Sequence, residues 1–252
     1  MEIFRIKFGD REIKYSLESE TERRWFGPMM RNKKLHEELI SREMIPYFQK
    51  SECFLDIGAN VGFYSVLSAV LNPSISSHAF ELDPGLAAII AKNGRLNDLS
   101  NLKVVPAAAW SNSGEFVSFS PTQENNPSTN SVSNTSAGDI ICSPTISIDD
   151  YCRINKLVPD IIKLDVEGAE VRVIQALRIA LQSTKALFLE IHPEQIRKMG
   201  DDINEIVEML SANDFRVSYA ADHKRSERLE QLTDLSAICR MEQNSMLVCI
   251  RD

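Results

Sequence analysis

The chain has no apolar run close to the ~20 residues that a helix needs to cross a bilayer, so no membrane span is expected. Cysteine is sparse and scattered: Cys53, Cys142, Cys152, Cys239 and Cys249. None lies in a CxxC or another zinc spacing, and an odd number at wide intervals argues against a disulfide framework. A reducing cytoplasm is the expected setting. Cationic charge is also short. The 252 residues carry 28 Lys and Arg against 36 Asp and Glu, a formal net charge of -8. Broad nucleic-acid binding depends on neutralising phosphates with Lys and Arg, so no nucleic-acid partner is expected. The basic stretch ERRWFGPMMRNKK, Glu22 to Lys34, reads as solvated surface. The N-terminus MEIFRIKFGDREIKY alternates charged and apolar residues and is no signal peptide.

Periodicity gives the organisation. IFRIKF and REIKYSL alternate at period two around Gly9-Asp10, which predicts a β-hairpin. Lys34 to Gln49 predicts one amphipathic helix. These two elements form an N-terminal unit over 1–50 that packs on or caps a core domain over 51–252. In that domain strands start at Cys53, Ser77, Leu102, Ile161, Ala186, Phe215 and Met246. Helices over 61–71, 84–96, 148–155, 169–181 and 193–212 separate most of them. Such alternation means an α/β fold, doubly wound around a mostly parallel seven-stranded sheet. Between Trp110 and Thr145 the chain is rich in Ser, Asn, Thr and Pro. The stretch 121–139 is expected to be a flexible polar loop, either a lid or simply disordered.

FLDIGANVGFYS, Phe54 to Ser65, reads strand, small-residue turn, helix. Such a turn lets a ligand approach the backbone and meet a helix N-terminus. A dinucleotide site calls for G-x-G-x-x-G. Here the turn is Gly58-Ala59-Asn60-Val61-Gly62, and Asp56 ends the strand. A carboxylate is a poor neighbour for pyrophosphate and a good one for a cationic amino-acid head. That favours S-adenosylmethionine over NAD. Glu81 ends the next strand, where an acid accepts both ribose hydroxyls; NAD proteins share this feature.

DIGANVGFYS, AFELDP, AAAWSNSGEF, TISIDDY, IIKLDVEGAE and LFLEIHP resemble, in order and spacing, the FkbM family of class I S-adenosylmethionine-dependent methyltransferases. The resemblance covers roughly residues 37–192. It implies a seven-stranded sheet with an antiparallel last strand. It also implies that Asp56, Gly58, Asn60 and Gly62 hold the methionine portion, Glu81 the ribose, and that Ala108 lies along the adenine. Glu37, or its neighbour Glu38, matches a Glu that family members carry upstream of the first strand.

Methyl transfer to a hydroxyl needs in-line placement and a base. Lys163, Asp165 and Glu167 share parity at a strand end, which puts them on one side if the strand persists. Asp165 is the expected base, Glu167 a second acid, and Lys163 either a partner of Asp165 or a substrate contact. Glu170 reads as a charge that favours the following helix N-terminus. Glu190 and His192 share parity at the next strand end, and a His is a natural base near neutral pH. Asp165, Glu167 and Glu190 form a conceivable hard oxygen site, but the resemblance requires no metal and none is expected. The sequence thus points to an O-methyltransferase acting on a small-molecule or glycan acceptor. An NAD-dependent oxidoreductase and a non-catalytic nucleoside-binding protein are the alternatives. No oligomeric state can be read.

Overall fold

A computed structural model describes residues 2–32, 34–119, 141–222 and 226–251. The polar loop assigned to 121–139 lies outside the described residues. β1 (Ile3–Phe8) and β2 (Arg11–Ser16) form the expected hairpin, with Phe8 opposite Arg11 across Gly9-Asp10. Gly9 has φ 55, the left-handed backbone that two-residue hairpin turns demand. Two helices follow instead of one. α1 (Glu20–Asn32) occupies the stretch read above as solvated surface, and α2 (Glu38–Phe48) the expected helix. Gly27 and Pro28 lower the local helix propensity. Even so, α1 buries Phe26 and Met29, a tertiary gain that propensity does not see.

The core then alternates as expected: β3 (Cys53–Ile57), α3 (Phe63–Leu71), β4 (Ser76–Phe80), α4 (Pro84–Leu96) and β5 (Leu102–Val105). Pro84 opens α4, and Asp83 caps it by accepting from the Gly85 and Leu86 N–H groups. β6 (Ala108–Ala109), β7 (Phe116–Phe119) and β8 (Ile141–Ile146) form a separate small sheet in the order β6-β8-β7. The sequence reading gave this stretch no strands. α5 (Ile148–Asn155) is capped by Ser147, whose side chain accepts from the Asp150 N–H. β9 (Ile161–Leu164), α6 (Glu170–Ile174), α7 (Ala180–Ser183), β10 (Ala186–Ile191), α8 (Pro193–Lys198), α9 (Asn204–Ala212), β11 (Arg216–Ala220), β12 (Glu230–Gln231) and β13 (Ser245–Ile250) complete the chain.

Two expected helices are each divided. The one over 169–181 is cut because the Asp149 carboxylate accepts from the Ile179 and Ala180 N–H groups and starts α7 afresh. The one over 193–212 stops at Gly200, whose φ of 77 suits a helix C-terminus.

The main sheet runs β12-β11-β13-β10-β9-β3-β4-β5. All seven expected strands are present, and the two-residue β12 adds an edge. β10, β9, β3, β4 and β5 are parallel, and β13 is antiparallel to both β10 and β11. β3, β9 and β10 are buried on both faces, as parallel strands under helical layers must be. Alternate residues feed two cores. Leu55, Ile57, Ile162, Leu164 and Leu189 join one; Phe54, Ile161 and Phe188 join the other, with Tyr15 of the hairpin and Phe26 of α1. Strand order reverses between β3 and β9, and the crevice beyond their carboxyl ends is where such sheets bind ligands.

Candidate active site

The turn after β3 is built for a close neighbour. Gly58 and Gly62 have φ 81 and 80. A Cβ at Gly58 would stand 1.8 Å from the Asp165 carbonyl oxygen, and one at Gly62 would strike Ile90 at 2.8 Å. Only glycine lets this turn lie against the end of β9. The Gly58 and Ala59 N–H groups donate to the Phe80 carbonyl, which ties the turn to β4. Glu81, just past β4, accepts from the Asn60 N–H at 2.7 Å and the Asp83 N–H at 2.9 Å. Burial pushes its carboxyl up to about 8, although both hydrogen bonds pull the other way. Asp56 accepts from Ser65 Oγ at 2.5 Å. Burial raises its carboxyl too, against the pull of Lys163 opposite it in the sheet.

Two buried acceptors in this turn, Asp56 Oδ1 and Asn60 Oδ1, have no hydrogen-bond partner among the described residues. Orphaned buried acceptors fit a ligand that brings donors: an ammonium and sugar hydroxyls. They do not fit a pyrophosphate. Ala108 is buried in β6, a short way past β5.

The acid cluster adjoins this turn. Lys163 is buried, and its Nζ lies 2.9 Å from Asp165 Oδ2. Its burial opposes the charge, but Asp165, Asp56 and Glu37 hold the ammonium well above the ordinary lysine range. Asp165 is held below its usual range, because Lys163 and His192 outweigh its burial. Glu37 is joined to this side rather than to the glycine turn. Its Oε2 accepts from Tyr64 Oη at 2.8 Å and its Oε1 lies 3.1 Å from His36 Nε2. Lys163 Nζ sits 5.3 Å from the Tyr64 ring centre. Glu38, the alternative match, instead pairs with Arg42 on the surface.

The parity argument for Glu167 does not hold, because β9 ends at Leu164. A turn delivers the side chain. Glu167 has φ 51 and Gly168 φ 112, and a Cβ at Gly168 would meet Gln195 Cβ of α8 at 2.5 Å. This tight passage brings Glu167 and Glu170 to His192, which follows β10. His192 Nδ1 is 2.7 Å from Glu170 Oε1. Its Nε2 is 3.3 Å from Glu167 Oε2, 3.4 Å from Glu190 Oε1 and 4.0 Å from Asp165 Oδ1. Burial would lower the imidazole, but the bonds to Glu170 and Glu190 lift it to about 11. Burial raises Glu167 to about 8, with His192 opposing and Asp165, Glu190 and Glu170 reinforcing.

Glu170 is the residue that the sequence reading missed. Its dipole role at the N-terminus of α6 stands, but its fully buried carboxylate also grips His192. A cavity of about 840 Å³ between the hairpin and the first two helices is lined by Phe4, Ile6, Met30, Leu35, Arg42 and Ile45, among others, and of the expected site residues only by Glu38, the alternative match to Glu37.

Comparison with known proteins agrees with the geometry. The chain is 26% identical over 177 residues to the hexuronic acid methyltransferase AglP of Haloferax volcanii, covering 69% of this chain and 68% of that protein. A crystal structure of a SAM-dependent methyltransferase from Agrobacterium tumefaciens shares the fold. Its TM-score is 0.50 at 9% identity, over 100% of this chain and 70% of that one. The model of the methyltransferase FkbM domain matches residues 56–217. With its parallel sheet, its glycine turn at the switch point and its acid cluster alongside, the chain belongs to the FkbM family of S-adenosylmethionine-dependent methyltransferases.

Proposed function

We propose that the protein methylates a hydroxyl of a sugar or another small polar acceptor. The carrying observation is the group of Glu167, Glu190 and His192 beside Asp165, whose carbonyl touches the cofactor turn at Gly58. A hydroxyl acceptor needs a proton acceptor within reach of the transferred methyl, and this group supports such a role. Bound S-adenosylmethionine supplies an electrophilic methyl on a cationic sulfur. Transfer of that methyl to the acceptor oxygen would leave the electron pair of the broken S–C bond on sulfur and a hydroxyl proton for the chain's own residues to take.

We assign the hydroxyl proton to Glu167. Asp165, expected to be the base, is engaged by Lys163 at 2.9 Å. Glu167 pairs with the imidazole rather than with an ammonium and keeps 18% of its side chain exposed. Asp56, Gly58, Asn60, Gly62 and Glu81 are assigned to the cofactor, and Glu37 to the Lys163 side of the acceptor. The likeness to a hexuronic acid methyltransferase supports a sugar acceptor. The acidic balance supports a small acceptor over a nucleic acid. Five cysteines with no disulfide support a reducing compartment, and among the described residues no helix is long and apolar enough to cross a membrane.

The test incubates the protein with S-adenosylmethionine and a panel of uronic acids, hexoses and their oligosaccharides. S-adenosylhomocysteine release and a methyl ether on the acceptor are expected. With the acceptor so found, Glu167→Gln is expected to lower kcat by roughly 10²–10⁴ while S-adenosylhomocysteine still binds. Unchanged turnover in that variant removes Glu167 as the base. Binding of NAD in place of S-adenosylhomocysteine removes the assignment as a whole.

A further inference from the structure

We propose that Asp165, Glu190 and His192 form a site for one six-coordinate divalent cation of the magnesium–manganese class. One ligand atom from each of the three lies within 4.8 Å of the others. An ion with bonds of about 2.1–2.3 Å places opposite ligands about 4.2–4.6 Å apart, so the group spans one coordination sphere with little adjustment.

The imidazole is placed for this work. His192 has only 1% of its side chain exposed. Its Nδ1 is already committed to Glu170 at 2.7 Å, so Nε2 is the atom presented to the carboxylates. Ligating histidines characteristically give their other ring nitrogen to a carboxylate, which fixes the tautomer and the ring. Glu170 is then a positioning residue.

A second observation is the crowding of four acids around one imidazole. Asp165, Glu167, Glu170 and Glu190 surround one imidazole and one ammonium. Glu170 Oε2, in a fully buried residue, has no hydrogen-bond partner among the described residues. A cation at Nε2 would take the place of the proton there, which leaves to solvent, and would meet the same carboxylates while the Nδ1 bond to Glu170 is kept. The ligand chemistry names the class. Two carboxylates and one imidazole, without thiolate, suit a hard or borderline cation that keeps waters in its other positions. Asp165 retains 22% of its side chain exposed, so the site is closed on the protein side and open toward an acceptor, as catalytic metal sites are. An ion here would hold two adjacent hydroxyls of a sugar and make one of them more acidic. That role rests on the proposed function; the existence of the site does not.

The experiment uses the full chain, stripped with a chelator, and Mn²⁺ as the probe. Electron paramagnetic resonance is expected to count one bound Mn²⁺ per chain. Its electron spin echo modulation is expected to show a single nitrogen coupling from His192. Glu190→Gln and His192→Ala are expected to weaken Mn²⁺ at least about tenfold, or about 1.4 kcal/mol. Absence of bound Mn²⁺ up to about 1 mM overturns the proposal, as does binding without nitrogen coupling, or binding unchanged in both variants. Should His192→Ala fail to fold, the wild-type nitrogen coupling and Glu190→Gln still decide. Calorimetry of the metal-free protein with S-adenosylhomocysteine is run alongside. Its failure would strike the methyltransferase reading and leave the metal result standing.

Discussion

Glu81 shows how a single residue couples burial to ligand binding. Its carboxyl is raised from an ordinary 4.5 to about 8, chiefly by burial. A raised acid is easier to keep protonated in the fold. Its contribution to stability is therefore complete below about 4.5 and is lost as pH rises through about 8. A ribose diol donates hydrogen bonds and so favours the ionised carboxylate. The affinity for S-adenosylhomocysteine is therefore expected to rise as pH climbs from about 6 to about 8, by up to tenfold per pH unit, with up to one proton released per ligand bound. Calorimetry in buffers of different ionisation enthalpy measures that proton. A pH-flat affinity, or proton uptake, would mean that Glu81 does not meet the ribose. At this scale the sequence was legible wherever a residue type has one reason to be where it is. Gly58 and Gly62 were such cases, because positive φ and contact with Asp165 and Ile90 admit nothing larger. Glu170 was not, because a helix N-terminus welcomes an acid whether or not it also grips a histidine.

The elements explain why the site is where it is, and where sequence patterns stop short. β3, β9 and β10 were legible because parallel strands buried on both faces read as short apolar runs. α1 was hidden because Gly27 and Pro28 contradict the apolar spacing of Trp25, Phe26, Met29 and Met30. The passage after β9 was hidden because parity ends with the strand, and a left-handed Glu167 cannot be read from spacing. The hairpin is held by more than apolar contact. The Ser16 N–H donates to Asn93 Oδ1 and the Lys14 N–H to Asn97 Oδ1, while Asn97 Nδ2 donates back to the Lys14 carbonyl. Tyr15 Oη donates to the Phe63 carbonyl of α3. β2 thus meets α3 and α4, although no strand of the main sheet pairs with it. Asn93→Ala leaves the buried Ser16 N–H without its acceptor, a loss of about 1–3 kcal/mol. The expected outcome is a lower unfolding midpoint, with hydrogen exchange accelerated at Ser16 and Lys14 more than in β3. Equal acceleration in both places would show that the hairpin does not loosen on its own.

At the scale of the whole molecule, the hairpin and first two helices share one apolar cluster with α3 and one face of the main sheet, while α5, α6 and α9 pack on the other face. Phe54 feeds one core and Leu55 the other, so neither core can dissolve without disturbing β3. β3 is also the strand whose carboxyl end carries the cofactor turn. Unfolding is therefore expected to be one cooperative transition, with near- and far-ultraviolet circular dichroism coinciding, and a ligand in that turn stabilises both cores together. S-adenosylhomocysteine at a hundred times its dissociation constant is expected to add about 2.7 kcal/mol. For a chain of this size each kcal/mol moves the midpoint by about 2–4 °C, so a rise of about 5–10 °C should be seen by scanning calorimetry. NAD at the same concentration should leave the midpoint in place, because a pyrophosphate finds the Asp56 carboxylate where it needs donors. A shift given by NAD and not by S-adenosylhomocysteine would reverse the assignment of the turn. A shift confined to one of two separated transitions would show that the two cores are not joined through β3.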